Sequence, residues 1–484
     1  MLDTHAIAAA AAPAAAASGG AWLVGGAVRD GLLHRQCDDI DLAVAGDAES
    51  FARTLATALD ALAFSYSERF SAWRIVCEGG HVDVAPLRGP TIADDLRGRD
   101  FTVNAMARAL PTAPGEGASS SSGDRPSSLS AASGALIDPC GGLADLRARR
   151  LVACAAGAFD DDPVRVVRLA RLRHELDLTV APRLEEAARA AAGRLAAASP
   201  ERLEHELSTL LGLPCVASAL RSLADLGALE VVLPEVAACR GVTQNPYHHL
   251  DVFEHTLEAL SFLAQVVTAL GGERYLATPT ECGLPGAPVL APLAWAVLLH
   301  DVGKPLARQV DDQGRVLFLS HDRLGEQIAR DICRRLRMSR RFEQFLAELV
   351  RQHLRLGFLV REMPLTRRAL VRFRRDAQPF VFEAIVLSLA DRVATRGERT
   401  PPQSLARHFR IARDVFGDTP APPRRLLGGD EVMTLLGVGP GAVVGRALAV
   451  LEEEIECGDV TTPDQARAFL LSWWEREQEG ARDA

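Results

Sequence analysis

Lysine is all but missing from this chain: among 484 residues it occurs once, at Lys304, and arginine carries the rest of the positive charge. Aromatics are scarce as well, at 5%. The formal net charge of −9 excludes a uniformly basic nucleic-acid coat, though not local basic surfaces, which a net charge averages away. The nine cysteines form no CxxC pair, which argues against a metal ribbon or a disulfide framework and for reduced thiols in a cytoplasmic protein. No apolar run is long enough to span a membrane. The alanine-rich start, Ala8 to Ala17, lacks a basic region before it, so a secretory signal is not expected, and residues 1–20 read as a flexible or helical tail. What is present, 48% hydrophobic and 24% charged residues, describes a soluble globular chain long enough for several domains.

The densest chemistry lies between Val24 and Val44. An apolar run, Trp22 to Val24, enters the pair Gly25-Gly26, which opens a helix carrying Arg29 and Asp30. Asp39-Ile40-Asp41 then begins a second apolar run. Alternation puts both carboxylates on one face of a strand and Ile40 in the core. Side-by-side carboxylates repel unless a cation neutralises them, and Mg²⁺ accepts such oxygens while completing its shell with water and phosphate. A glycine turn with a helix N-terminus beside them suits phosphate. The stretch reads as a metal–nucleotide site.

Further along, Glu49 to Leu62 predicts a helix, and Arg74 to Val76 and His81 to Val84 predict short strands. Asp83 alternates with Val82 and Val84, so it can join the aspartate pair as a third carboxylate or be a plain strand residue. The polar run Asp95 to Asn104 offers Arg99, Asp100 and Asn104 to phosphate, ribose or base. Residues 111–135 are rich in Ser, Gly, Ala and Pro and are expected to be a disordered insertion. From Asp161 the segment DDPVRVVRLARLRHEL predicts a helix with Pro163 in its first turn and with Arg165 and Arg168 on one face. The rest, to Trp474, reads as helical.

The segments Gly25-Gly26-Ala27-Val28-Arg29-Asp30, Asp39-Ile40-Asp41, Arg99-Asp100-Phe101-Thr102-Val103-Asn104-Ala105, Asp138-Pro139-Cys140-Gly141-Gly142 and Asp161-Asp162-Pro163-Val164-Arg165-Val166-Val167-Arg168 carry a resemblance in their order and spacing. Together with Glu201-Arg202, they resemble the class II tRNA nucleotidyltransferase (CCA-adding) and bacterial poly(A) polymerase family of the DNA polymerase beta superfamily. The resemblance implies that Asp39 and Asp41, with Asp83 as a possible third, hold catalytic Mg²⁺. It implies that Gly26 and Arg29 contact triphosphate, and that Arg99, Asp100 and Asn104 contact ribose or phosphate. Asp162 and Arg165, on the face shared by Arg168, would pair with the base of CTP or ATP in place of a nucleic-acid template. A carboxylate accepts from the exocyclic amine that cytosine and adenine share, and guanidinium donates to ring nitrogen or carbonyl. There are departures: Gly98 replaces a frequent arginine, Cys140 a common aromatic and Asp161 a frequent glutamate.

A second constellation follows. Six of the twelve histidines fall between His248 and His353. The ordered series His255, His300-Asp301, His321, His353 and Asp391 suits one or two transition-metal ions, such as Ni²⁺ or Mn²⁺. It resembles the HD phosphohydrolase domain, which implies metal-activated water attacking a phosphoester. His255, His300, Asp301 and Asp391 would be the core set, with His321 and His353 at a second position. Lys304 lies three residues past Asp301 and can reach a phosphate there. The arginines between Arg334 and Arg375, and those at 165, 168, 171 and 173, are either solvated helix faces or tracks for RNA phosphate.

The expected fold is therefore α+β. An N-terminal polymerase-beta-like head (21–150, mixed sheet with helices) precedes an all-helical neck (151–240), an HD domain (245–395) and a helical tail (396–484). The expected activity is template-free addition of CCA to tRNA 3′ ends from CTP and ATP with release of pyrophosphate, joined to an HD hydrolase acting in RNA end repair. Alternatives are a poly(A) polymerase, a CC- or A-adding enzyme, or an HD hydrolase with an RNA-binding head. The expected partner is tRNA, in a monomer or homodimer without a membrane.

Overall fold

A computed structural model describes residues 4–482, apart from 36, 38, 68–70, 78–79, 113–133, 273, 275, 360–364 and 418–424. The predicted insertion thus lies almost wholly outside the described residues. The chain divides into two compact units, Met1–Pro234 and Glu235–Ala484.

The first unit is built on one sheet. Its strands are β1 (Ala21–Val24), β2 (Asp39–Val44), β3 (Leu62–Ser67), β4 (Ala72–Cys77), β5 (Gly80–Pro86), β6 (Ala107–Ala109) and β7 (Leu136–Ile137), in the order β3-β4-β5-β2-β1-β6-β7. Only β2 and β5 run parallel, so the sheet is mixed. Along β2, Ile40, Leu42 and Val44 are buried while Asp39 and Asp41 are exposed, the alternation that a half-buried strand requires.

Of the two readings of the N-terminal tail, flexible or helical, the structure has the helix, α1 (Thr4–Ala17), packed on the later helix Ala48–Ala58. Ile7, Ala8, Ala11, Ala12 and Ala15 recur at helical spacing and are buried. Small side chains let the two helices approach closely, which an alanine tract read by composition alone does not reveal. Between them lies α2 (Gly26–Leu32), and Ala48–Ala58 is α3, started by Asp47, whose carboxylate accepts from the Ser50 N–H at 2.8 Å.

After α4 (Ile92–Arg97) and α5 (Gly142–Arg147) the neck begins. The helix predicted from Asp161 is broken in two: α6 is Ala158–Asp161 and α7 is Arg165–Glu175. Pro163 disfavours the helical conformation at the residue before it, and Asp162 is extended at φ −154°, ψ 100°. At the break the Asp162 carboxylate accepts from the Val164 N–H at 3.2 Å. Two more neck helices are α8 (Pro182–Ala191) and α9 (Pro200–Leu211).

Among its described residues the second unit is helical but for one hairpin, Arg308–Val310 against Val316–Phe318, which the sequence reading missed. Helices Val252–Ala269, Ala291–Leu299, His321–Arg335, Arg340–Gln352 and Val381–Ala394 carry the histidine series. The C-terminal helices Gly429–Leu436, Ala442–Cys457 and Pro463–Arg482 share a core that includes Val432, Leu451 and Leu470.

Candidate active sites

In the first unit, parallel pairing of β2 with β5 sets Asp39 opposite His81 and Asp41 opposite Asp83. All three aspartates thus occupy adjoining strands, as expected, but their partners differ. His81 Nδ1 meets Asp39 Oδ1 at 2.9 Å. Burial pushes the Asp39 carboxyl up, but the bond and charge of His81, with His205 and Arg74, outweigh it and leave its pKa below the ordinary value. Asp41 keeps an accessible carboxylate at the floor of the site. The protein around it withdraws it from bulk water and, with Asp83 and Asp39 adding like charge against Arg99, its pKa lies above the ordinary value. Asp83 has both oxygens taken by Arg74, at 2.7 and 2.8 Å. Asp39 and Asp41 form an all-oxygen donor pair that suits a hard divalent cation, while a third ligand from Asp83 requires Arg74 to let go. His81 was not singled out in the sequence, because only the strand register brings it to Asp39.

Gly25 makes the site possible. Its φ is +71°, and a Cβ there would sit 3.1 Å from Asp41 Oδ2 and 3.2 Å from Arg99 Nη1. Gly26 opens α2 immediately afterwards. Arg29, on α2, is buried and donates to Asp30 at 2.9 and 2.8 Å and to Asn104 Oδ1 at 2.6 Å. Arg99 is half-buried and donates to Asp95 at 3.0 Å.

The two residues expected to read the base lie on either side of the break before α7. Arg165, 7% exposed, donates to the carbonyls of Ala158 at 3.2 Å and Gly98 at 3.0 Å. Its Nε is 3.9 Å from Asp162 Oδ2. Arg202 on α9 holds the other side of Asp162, with Nη1 3.1 Å from Oδ1. Asp162 and Arg165 are therefore fixed in orientation without a nucleotide.

Behind them lies an ionic network that the sequence did not disclose. Arg168 donates to Asp100 at 2.8 Å and to Glu206 at 2.6 Å, and Arg171 donates to Glu206 at 3.0 Å. Glu206 is 3% exposed. Burial raises its carboxyl, yet the two arginines outweigh that and hold its pKa at about 2. Asp100 is likewise pushed up by burial and pulled below the ordinary value by Arg168, by the Phe101 N–H and by Arg165. Arg168 thus braces Asp100 against α9. Arg173 pairs with Glu185 at 2.7 Å. The arginines 165, 168, 171 and 173 are consequently occupied internally and form no open phosphate track.

Much of the longer arginine run in the second unit is paired too. Arg334 meets Glu343 at 2.9 Å, Arg335 meets Glu235 at 2.8 Å, and Arg351 and Arg355 pair with Asp322 and Asp376. Arg372 and Arg375 meet Glu453 at 2.7 and 3.2 Å, Arg368 meets Glu454 at 2.7 Å, and Arg374 caps the Val415 carbonyl at 2.8 Å. Arg361 lies outside the described residues.

The histidine series converges in the second unit. His255 Nε2 lies 2.9 Å from Asp391 Oδ1, His300 Nε2 3.0 Å from Asp301 Oδ2, and His321 Nε2 3.4 Å from Asp301 Oδ1. His321 and His353 face each other through Nε2 at 3.3 Å. Ligand atoms of His255, His300 and Asp301, of Asp301, His321 and His353, and of His248, His255 and Asp391 each lie within 4.8 Å of one another. His300, His321 and His353 all direct Nδ1 to the carbonyl three residues back, at 2.7 Å, which assigns the proton to Nδ1 and leaves Nε2 as a lone pair facing inward. Burial, with His300 and His321 close by, pushes His353 down to about 4, so it stays neutral, the form that ligates metal. His300 Nε2 and Asp301 Oδ2 are buried and meet without hydrogen-bond geometry. Facing acceptors of this kind fit a cation between them, and the mixed imidazole–carboxylate set suits a transition metal.

Lys304 lies at this centre, but its Nζ is engaged by Asp301 Oδ2 at 2.6 Å and Gln244 Oε1 at 2.7 Å. His248 and Gln244 were not among the predicted site residues. Both come from the loop before Val252–Ala269, where no periodicity marks them.

Comparison with known proteins follows this division. The poly A polymerase head domain matches residues 21–152, the probable RNA and SrmB-binding site of polymerase A matches 177–240, and the HD domain matches 252–396. The chain is 36% identical over 465 residues to an A-adding tRNA nucleotidyltransferase of Deinococcus radiodurans, covering 94% of this chain and 96% of the relative. It is 36% identical over 461 residues to a CC-adding tRNA nucleotidyltransferase of Thermus thermophilus, covering 94% and 93%. A multifunctional CCA protein of Stenotrophomonas maltophilia matches at 31% over 355 residues, covering 69% and 75%. The fold is similar to that of a Thermotoga maritima CCA-adding enzyme solved with tRNA, with a TM-score of 0.56 at 19% identity, covering 96% of this chain and 94% of that one.

Proposed function

Since the chain belongs to the tRNA nucleotidyltransferase and poly(A) polymerase family, with an HD domain in the same polypeptide, we propose that it builds CCA on tRNA 3′ ends from CTP and ATP without a nucleic-acid template. One observation carries this reading: the carboxylate pair and the base-reading pair are joined by a short run of contacts. Asp41 and Arg99 flank Gly25, and the carbonyl of Gly98 fixes Arg165. A triphosphate over Asp39 and Asp41 would be linked through Arg99 and its neighbour Gly98 to Arg165 and Asp162. Divalent cations at Asp39 and Asp41, Mg²⁺ by donor chemistry, would supply the charge that lowers the cost of 3′-hydroxyl attack and pyrophosphate departure. Arg99 and Asn104 orient phosphate and ribose, while Asp162 and Arg165 select bases that carry an exocyclic amine. The backbone shape of tRNA, rather than its base sequence, sets substrate choice.

A second reading is favoured by a specific observation: relatives that align along nearly the whole chain are named A-adding or CC-adding. Incubation with Mg²⁺ and tRNA ending at the discriminator base, with CTP and ATP singly and together, separates the readings. Three added nucleotides support CCA addition. Two from CTP alone with none from ATP, or one A only on tRNA already ending in CC, supports a split activity. An unbounded A tail overturns both.

The HD centre is proposed as a metal phosphohydrolase acting on a damaged RNA end, such as a 2′,3′-cyclic phosphate or 2′-phosphate. His255, His300, Asp301 and Asp391 would hold one ion, Ni²⁺ or Mn²⁺ in kind, and Asp301, His321 and His353 a second. Hydrolysis of a 2′,3′-cyclic phosphate that is lost in His300→Ala and retained in Asp39→Ala supports this, and the reverse pattern overturns it. The cytoplasm, where tRNA and nucleoside triphosphates meet, is the proposed compartment.

A further inference from the structure

Cys140 and Cys154 meet beneath the nucleotide edge of the head. Cys140 lies in the turn Asp138–Gly142 and Cys154 in the loop after Leu151. Both pack against one apolar cluster, Val24, Ala43, Leu96, Ala105 and Ala107. Their thiols are in hydrogen-bonding contact. Each is a free thiol, half-buried rather than sealed, so a small oxidant can reach it.

Both segments are pinned to the residues that carry Asp100. The Cys154 N–H donates to the Asp100 carbonyl at 3.0 Å, and the Thr102 N–H donates to the Val152 carbonyl at 2.9 Å. On the other side, a Cβ on Gly142 would lie only 2.0 Å from the Thr102 carbonyl oxygen, so the Cys140 turn presses directly on the 3-10 turn Thr102–Asn104 that follows Asp100. Asp100 in turn bonds Arg168, and lies 3.4 Å from the Asn104 amide that neighbours Arg29.

We propose that Cys140 and Cys154 form a redox modification site, in which a hydroperoxide converts the dithiol to a disulfide and thereby weakens nucleotide binding in the head. Burial, with Cys140 and Asp100 close by, pushes the Cys154 thiol up, and the proposed sequence begins at Cys140. The Cys140 sulfur attacks the peroxide oxygen, its proton and the departing oxygen leave as water or alcohol, and a sulfenic acid remains. Cys154 sulfur then attacks that sulfenic sulfur, the S–O bond breaks, and water leaves with the Cys154 proton. The two sulfurs lose two electrons in all, and the peroxide gains them. A disulfide holds its sulfurs at about 2.05 Å, well inside the separation of two thiols in contact. Closure therefore draws Cys154 towards Cys140 and pulls the Asp100 carbonyl with it.

The pairing does not depend on the proposed transfer activity, whereas its effect on nucleotide binding does, and the test reads them apart. The full chain is treated with one to ten equivalents of hydrogen peroxide, free thiols are blocked, and a non-reducing digest is weighed. A Cys140–Cys154 linked peptide that dithiothreitol removes is expected. Recovery of both cysteines as blocked thiols, or as separate over-oxidised acids, would overturn the site. In parallel, CTP and ATP binding is measured by calorimetry: the oxidised protein is expected to bind about fivefold more weakly and to recover on reduction. Unchanged affinity in a fully linked sample overturns the coupling. Cys154→Ser should bind normally and lose the response to peroxide, with Cys154→Ala as the substitute if the serine form folds poorly. A full response in either variant points to another thiol and overturns the assignment.

Discussion

Asp39 and Asp41 stand on a strand end open to solvent, whereas His255, His300, Asp301 and His353 are almost completely buried. The two regions handle charge in opposite ways. In the head, His81 and Arg99 offset the carboxylates of Asp39 and Asp41 at an exposed strand end, so an ion can arrive and leave with each nucleotide. In the HD centre burial is almost complete, and Asp301 relies on the Lys304 ammonium. Buried acceptors that face one another are costly without a cation. The contrast implies an exchangeable ion in the head and a resident one in the HD centre.

The largest effect should come from breaking one region while leaving the other. Asp41→Asn removes an oxygen charge from the metal pair and is expected to lower nucleotide transfer by at least about a thousandfold, with phosphoester hydrolysis unchanged. His300→Ala should do the reverse. If Asp41→Asn lowers both activities equally in parallel assays, the two regions do not act independently.

Chelation sharpens the same comparison. Dialysis against a strong chelator should leave the melting of the head almost unmoved and lower that of the HD helices. Returning Mn²⁺ or Ni²⁺ at a thousand times its dissociation constant should restore about 4 kcal/mol, read from denaturant curves by a probe within each unit. Equal shifts in both would remove the distinction between resident and exchangeable ions.

These two regions were not equally legible in the sequence. Gly25-Gly26, Asp39-Ile40-Asp41 and the H…HD…H…H…D order carry their meaning locally, by alternation or by residue type, and the α+β division followed from them. His81, Glu206 and Gln244 did not stand out, because each acquires its role from a partner on another element: Asp39 across a strand register, Arg168 from α7, Lys304 across a loop. The partners of the arginine runs were hidden for the same reason. Counting charge along the chain leaves out Glu453 and Glu454, which lie far away in sequence and beside those arginines in space. The hairpin at Arg308–Phe318 was hidden between strong helical patterns, although Asp311 and Gly314 mark its turn.

A smaller effect is expected behind the head. Glu206 holds a pKa of about 2 against an ordinary 4.5. A depressed carboxylate stabilises the fold above its unfolded pKa, and that contribution is lost as pH falls from about 4.5 towards 2, roughly 3 kcal/mol in all. Glu206→Gln should cost a similar amount at pH 7, flatten the acid limb of stability measured by urea unfolding, and raise KM for CTP and ATP more than it lowers kcat. An unchanged acid limb would mean that Arg168 and Arg171 find other partners.

The smallest effect tests whether the second unit guides RNA at all. Arg372 lies in an arginine-rich helix, yet its guanidinium is committed to Glu453 at 2.7 Å, a carboxylate that Arg375 also holds. An arginine engaged this way releases few counterions when RNA approaches, so Arg372→Ala should change tRNA affinity by less than about twofold and leave the slope of log affinity against log salt within about 0.3 of its starting value. An arginine that contacts phosphate would instead reduce that slope by close to one. The loss in stability should also be slight, on the order of 0.5 kcal/mol, because Arg372 is more than half exposed and Arg375 remains to hold Glu453. A drop in salt slope near one would return this helix to the RNA path and make the second unit a binding surface as well as a metal centre.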